Sequence, residues 1–213
     1  MQFNLQLKDK KIKVLIATHN KNKLSEFKKI FKKSIVKPIS LESFTKIEPE
    51  EYGSTFHQNA LIKARFASSL VNYSHTTIAD DSGICIQNLN NKPGIFSSRW
   101  AINNDYSLAY EMIVKKLNAK GLSIKGQKAK FICVLALINK DKKESLYEGI
   151  LEGSLTFPPK GSLGFGYDPI FIPNNNSKTL AEISTKQKNT MSHRKKAITK
   201  LLENKLFKNI FSK

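Results

Sequence analysis

The apolar positions fall in blocks whose periods predict the elements. Residues 12–17 (IKVLIA) are a continuous apolar run, the pattern of a buried strand. Leu24, Phe27, Ile30 and Phe31 then mark one face of a helix, with Asn20 or Asn22 placed to cap it. Residues 35–53 mix short apolar pieces with Pro and Glu and predict a strand and a loop. A second helix should begin near Thr55, because Phe56, Asn59, Ala60, Ile62, Lys63, Phe66, Ala67 and Leu70 keep helical spacing. Thr55 and Gln58 fit a capping box. Residues 76–80 predict a short strand, which Asp80-Asp81-Ser82-Gly83 breaks before extended structure resumes over 84–86.

Asp105 is placed to cap a third helix with Leu108, Ala109, Met112, Ile113 and Leu117 inward. Residues 130–139 and 144–152 predict two strands, and Asp141-Lys142 between them fits a hairpin. A Pro/Gly loop over 158–166, a strand at 169–172 and an Asn-rich loop follow. The last helix, about 194–207, carries Ala197, Ile198, Leu201, Leu202 and Leu206. There is no internal repeat and no clear linker. The order is α/β with an antiparallel middle.

Composition narrows the class. The chain has 213 residues, 40% of them hydrophobic, which is enough for a sizeable core and too much for a disordered chain. No apolar run approaches the ~20 residues that cross a bilayer, and the first eleven residues lack the apolar stretch of a signal peptide. Cys85 and Cys133, both in apolar runs, read as buried thiols of a reducing cytoplasm. The formal charge of +19 implies an anionic partner: nucleic acid, a membrane surface or phosphorylated small molecules. Nearly all of that charge is lysine, and a drift toward Lys and Asn would produce it with no partner. Arginine occurs only at Arg65, Arg99 and Arg194, so its planar fork is informative where it does occur.

Four polar segments carry candidate chemistry. Thr18-His19-Asn20-Lys21-Asn22-Lys23 lies between a strand and a helix, where backbone N–H groups and the helix dipole suit phosphate; a capped turn with solvated lysines is the alternative. The adjacent carboxylates Asp80 and Asp81 repel each other unless cations or a divalent metal offset them, and one could orient or deprotonate a water; an Asx turn is the alternative. In Gly161–Pro169 the glycines permit close approach, Phe165 or Tyr167 could stack on a flat ring, and Asp168 could accept from a ring N–H; simple aromatic packing competes. Lys188 and Ser192-His193-Arg194 open the last helix. His193 and Arg194 are donors, which suits a 6-keto purine and rejects a 6-amino one. Two cations at a helix N-terminus otherwise oppose the dipole.

With these segments quoted, the chain resembles the inosine/xanthosine triphosphate pyrophosphatases. The resemblance is carried in order by IATHNKNKLSEF, STFHQNALIKA, ADDSGICI, KPGIFSSRWA, GFGYDPIF, KTLAEI and SHRKKA, from about residue 12 to 206. It implies an elongated, twisted mixed sheet flanked by helices, with two lobes and a central nucleotide cleft. Residues 1–11 would be an extension and 12–213 a single bilobed domain. It implies a cytoplasmic homodimer that uses Mg²⁺ to hydrolyse ITP, dITP and XTP to the monophosphate and pyrophosphate. Thr18, His19, Asn20, Lys21, Asn22 and Lys23 would hold the triphosphate. Asp81 would be proton acceptor and metal ligand, with Ser82 on the substrate. Phe165, Gly166, Tyr167, Asp168, Lys188, His193 and Arg194 would grip the nucleoside, and Lys63 and Arg99 would make triphosphate or structural contacts.

One departure is expected to matter. The family pattern usually has Glu at the position of Gln58, where it helps bind the metal, so magnesium affinity should fall unless Asp80, Asp81 or Glu26 compensates. Two further readings stand beside the enzyme. One is a basic nucleic-acid-binding protein without catalysis, against which there is no zinc-finger spacing and no basic repeat. The other is a family member impaired through Gln58.

Overall fold

The computed structural model describes residues 12–32 and 36–204. The predicted extension 1–11, Leu206 and Phe207 lie outside the described residues. In chain order the elements are β1 (Ile12–Ala17), α1 (Lys21–Phe31), β2 (Val36–Ser40), α2 (Phe56–Leu70), β3 (Thr76–Ile86), β4 (Lys92–Pro93) and α3 (Tyr106–Asn118). Then come β5 (Lys128–Ile138), β6 (Glu144–Leu155), β7 (Phe171–Pro173), α4 (Thr185–Met191) and α5 (His193–Glu203).

The seven strands form one mixed sheet in the order β2-β1-β3-β5-β6-β7, with β4 beside β3. β1 pairs parallel with β2 and β3, while β3, β5, β6 and β7 are antiparallel. The expected α/β class with an antiparallel middle is what forms.

The period-2 alternation of the long strands divides the core. Ile78 joins Val14 and Ile16 against Leu24, Phe27 and Phe31 of α1 and Ile198 and Leu201 of α5. Its neighbour Ala79 joins Leu15 and Ala17 against Ala60, Ala64 and Ala67 of α2 on the other face. Farther along β3 and β5, Ile84, Ile86 and Phe131 enter a third cluster with Ile113 and Leu117 of α3 and Phe171 of β7.

Four details depart from the sequence pattern. β3 runs unbroken through Asp80–Gly83, each residue paired with β5 from Leu135 to Ile132. The capping box at Thr55 is half made: Thr55 Oγ1 accepts from Gln58 N–H (3.2 Å), but Gln58 Oε1 accepts from the N–H and hydroxyl of Ser54 (2.7 and 2.9 Å). On α3, Leu108 is exposed and Met112 half-buried, while Tyr110 takes a core position. The Asn-rich loop is followed by α4, capped by a complete Ser184/Gln187 box. Both cysteines are buried free thiols, and burial pushes Cys133 up to about 12.

Candidate active site

β1 is central to the parallel part of the sheet. The chain leaves it through α1 to β2 on one side and returns through α2 to β3 on the other, with the two helices on opposite faces. The carboxyl end of β1 is therefore a switch point, the place where open α/β sheets bind ligands. There β3 outruns its neighbour. β1 pairs with it only as far as Ala79, and β4 begins only at Cys85. Between them the edge of β3 has no strand, and Ser97 Oγ accepts the Ile84 N–H (2.9 Å). A cavity of about 720 Å³ opens on this gap. The run at 80–83 interrupts one edge of the sheet and leaves the strand itself intact.

Residues 18–23, 80–83 and 165–168 with Lys188, His193 and Arg194 line this one cavity, while Gly161, Gly164 and Ser192 lie outside its wall. At its first end Asn20 caps α1, Oδ1 accepting from the N–H groups of Asn22 (3.0 Å) and Lys23 (3.1 Å). Two of the donors expected for an anion are thus already used by the cap. Lys23 Nζ instead reaches Asp80 Oδ2 (3.2 Å). His19 Nε2 lies 2.8 Å from the Thr45 carbonyl and Nδ1 3.1 Å from Glu48 Oε1.

Asp80 and Asp81 project to opposite sides of β3, which relieves their repulsion. Asp80 Oδ2 also accepts from Arg194 Nη2 (3.1 Å) and Ser82 Oγ (3.0 Å). Burial acts to raise its pKa, but Lys23 and Arg194 overcome that and hold the carboxyl far below the ordinary range. Asp81 differs. Lys63 Nζ donates to its Oδ1 (2.8 Å), yet burial dominates and holds the pKa above the ordinary carboxylate value. Lys63 also holds Glu51 Oε1 (2.9 Å), and these carboxylates outweigh burial and raise the ammonium's pKa.

Asp80 Oδ1 and Asp81 Oδ2 are buried with no hydrogen-bond partner. Each is a hard oxygen donor of the kind magnesium takes, and Asp81 could offer its free oxygen to such an ion. Among the described residues no three metal-type side chains converge on one point, so phosphate and water would have to complete its shell.

At the other end, buried Glu26 of α1 joins two cations. Its Oε1 lies 3.0 Å from Lys188 Nζ, and its Oε2 bonds Arg194 Nη1. Arg194 thus sits between Glu26 and Asp80, which removes the conflict of an arginine with the α5 dipole. Its donors go largely to carboxylates rather than into the open cavity. Lys188 Nζ also donates to Asp168 Oδ2 (2.6 Å), which accepts the Phe165 N–H (2.9 Å) as well. Gly164 is required there: at φ 79° a Cβ would lie 2.1 Å from Asp168 Oδ2.

Tyr167 is buried, its hydroxyl donating to the Ser97 carbonyl (2.8 Å) and its ring packed against Tyr106. Of the two aromatics proposed for stacking, half-buried Phe165 is the more available, with Lys188 Nζ 4.5 Å from its ring centre. His193 stacks on Phe131 (4.9 Å). Burial, then Arg194 and Lys188, hold its pKa well below 6.5, so near pH 7 the neutral ring offers one N–H and one lone-pair nitrogen.

Several contributors lie outside the four segments. Tyr106, Phe131 and Ser97 line the cavity as parts of core elements, and nothing in their spacing sets them apart. Glu51 had a weak signal, since Glu48, Glu50 and Glu51 cluster in a chain with only 17 acidic residues. Gln58, by contrast, is exposed, bonded to Ser54 and absent from the cavity wall.

A switch-point cleft with a lysine-flanked turn at one end, an aromatic and glycine loop at the other and paired carboxylates between them defines an α/β protein for a phosphorylated ligand with a flat ring. The particular family follows from comparison. Residues 14–204 match the model of the Ham1 family, and the chain belongs to it. The dITP/XTP pyrophosphatase of Thermoanaerobacter pseudethanolicus is 42% identical over 193 residues, covering 89% of this chain and 94% of the relative. A HAM1 protein structure from Coxiella burnetii superposes with a TM-score of 0.79 at 36% identity, covering 89% of this chain and 96% of that one. The Staphylococcus aureus Ham1 protein gives 0.76 at 35% identity, over 89% and 95% of the two chains.

Proposed function

We propose that this chain hydrolyses dITP, ITP and XTP to the monophosphate and pyrophosphate, using Mg²⁺, as a cytoplasmic homodimer built on one bilobed domain. The observation that carries the reading is Asp81. It is a buried carboxylate with one oxygen on Lys63, the other unpartnered, and an affinity for protons raised by burial, on the cavity that the 18–23 turn and the 165–168 loop also line. The dITP/XTP pyrophosphatase relatives support it.

The 18–23 turn with Lys23 takes the triphosphate, and Ser82 contacts the substrate beside Asp80. Phe165 and Gly166 border the base, Tyr167 backs the loop, and Asp168, Lys188, His193 and Arg194 fix the donors that face a 6-keto edge. Water attacks the α-phosphorus, the α–β P–O bond breaks, and the water proton passes to Asp81. Lys23 and Lys63 neutralise charge on the departing pyrophosphate. Asp81, through its unpartnered oxygen, would hold Mg²⁺ together with phosphate and water, and the ion when bound would supply charge neutralisation and a more acidic water.

The test is pyrophosphate release from ITP, XTP, dITP, ATP and GTP. The keto pocket predicts turnover of the first three and at least about tenfold discrimination against ATP, from unpaired polar groups; equal turnover of ATP would refute it. Asp81→Asn should lose at least about a hundredfold in kcat, the lower range for a general base, while circular dichroism stays that of the parent. A normal kcat in that variant removes Asp81 from the chemistry.

A further inference from the structure

The segment 44–53 forms one wall of the cleft without helix or strand structure, and it has little apolar anchorage. Phe44, Ile47 and Tyr52 are all exposed, Tyr52 at 80%. Its own bonds are local, Thr45 N–H to the Leu41 carbonyl (3.1 Å) and Ile47 N–H to Thr45 Oγ1 (3.0 Å). What fixes it comes from elsewhere. At the far end Arg99 Nη2 donates to the Glu51 carbonyl (3.1 Å), Lys63 holds the Glu51 carboxylate, and Asn59 Oδ1 accepts the Gly53 N–H (2.9 Å). At the near end the anchor is His19, whose two ring nitrogens face the Thr45 carbonyl and Glu48.

Both of these partners are acceptors, so the ring has no N–H left to offer a phosphate. His19 nevertheless sits within the phosphate turn, directly before the Asn20 cap. Its ring is the side-chain link from this turn to the segment that bears Glu51.

We propose that His19 is a positioning residue: it ties the phosphate turn to segment 44–53, so that an anion in the turn also fixes Glu51 against Lys63 and Asp81. The proposal rests on the phosphate reading of the turn, and it assigns the His19 side chain a role other than direct phosphate contact.

Hydrogen exchange of the whole protein tests it, with inorganic tripolyphosphate and magnesium as the probe. In the parent, the probe should slow exchange in both 18–24 and 44–53. In His19→Ala, amides of 44–53 should exchange about tenfold faster without the probe, the factor that about 1.4 kcal/mol of lost hydrogen bonding gives. The probe should then protect 18–24 alone. His19→Gln keeps a donor for the Thr45 carbonyl and should restore part of the protection. Amides of α2 and β3 at parental rates show that the fold is retained.

Unchanged exchange over 44–53 in His19→Ala overturns the tether. Protection of 18–24 without 44–53 in the parent overturns the coupling. Protection of neither segment in the parent instead overturns the phosphate reading, a result distinct from both.

Discussion

His193 shows how the cleft constrains a single side chain. Its ring is buried, stacked on Phe131, and its Nδ1 has no partner. The charges around it are Arg194, Lys188, Lys23 and Asp80, mostly cationic, so protonation is disfavoured in the folded state. In the unfolded chain the same group titrates near 6.5. The unfolded state therefore binds more protons below that pH, and stability falls as pH drops from 6.5 toward the folded value. Each unit in that window costs about 1.4 kcal/mol for one proton. Denaturant titrations from pH 7 to 5 should show this slope in the parent and a shallower one in His193→Phe, which keeps the ring stack. Parallel slopes would mean that the buried imidazole accepts a proton without penalty. Residue identities at this scale were largely legible: the adjacent aspartates and the His193-Arg194 pair line one cavity, though the other two arginines, Arg65 and Arg99, do not. Their partnerships were not. Glu26 meets Arg194 across 168 residues of chain, and no local pattern encodes such a pairing.

At the scale of elements, α5 carries His193 and Arg194 into the cleft, and its approach to the sheet is set by one glycine. A Cβ on Gly149 of β6 would stand 2.1 Å from the His193 carbonyl and 2.5 Å from the Ala197 N–H. Both are backbone atoms that no rotamer change can move. Gly149→Ala should push α5 outward, cost roughly 1–3 kcal/mol as overpacking does, and raise KM more than it lowers kcat, since α5 supplies ligand contacts. Thermal unfolding and steady-state kinetics check both parts; a KM equal to the parent's would show that α5 keeps its place. Elements with strong periodicity were readable: β1, α1, α2, the β5–β6 hairpin and α5 follow from apolar spacing and a capping residue. The continuity of β3 was not, because acidic and glycine residues favour turns locally while ten residues of pairing with β5, two of them also with β4, decide the outcome. α4 escaped notice for the opposite reason, since a polar seven-residue helix has no apolar stripe to betray it.

For the whole molecule, the +19 charge and the charge of the cleft are separate quantities. Lys21, Lys23, Lys63, Lys188 and Arg194 line the cavity, and so do Glu48, Glu51, Asp80, Asp81 and Asp168. Five cations face five carboxylates among these lining side chains. These charges cancel, and the excess lysine does not line the cavity. That surplus can draw anions from a distance, over a Debye length of about 8 Å at physiological salt. It does not balance a triphosphate once inside, where Asp80 and Asp81 each present an unpartnered buried oxygen. On the proposed reading, repulsion between those oxygens and the phosphates is relieved by a divalent cation that arrives with the nucleotide. Binding should therefore depend on the divalent ion more than turnover alone would require. Calorimetry with Asp81→Asn isolates this from chemistry, because turnover is lost while Asp80 keeps its unpartnered oxygen. With magnesium the variant should bind ITP; with chelator in its place, affinity should fall by about tenfold or more, as an unscreened charge pair at an effective dielectric of ~20 implies. Equal affinity in the two conditions would mean that the lysines already neutralise the triphosphate and that the carboxylates face away from it.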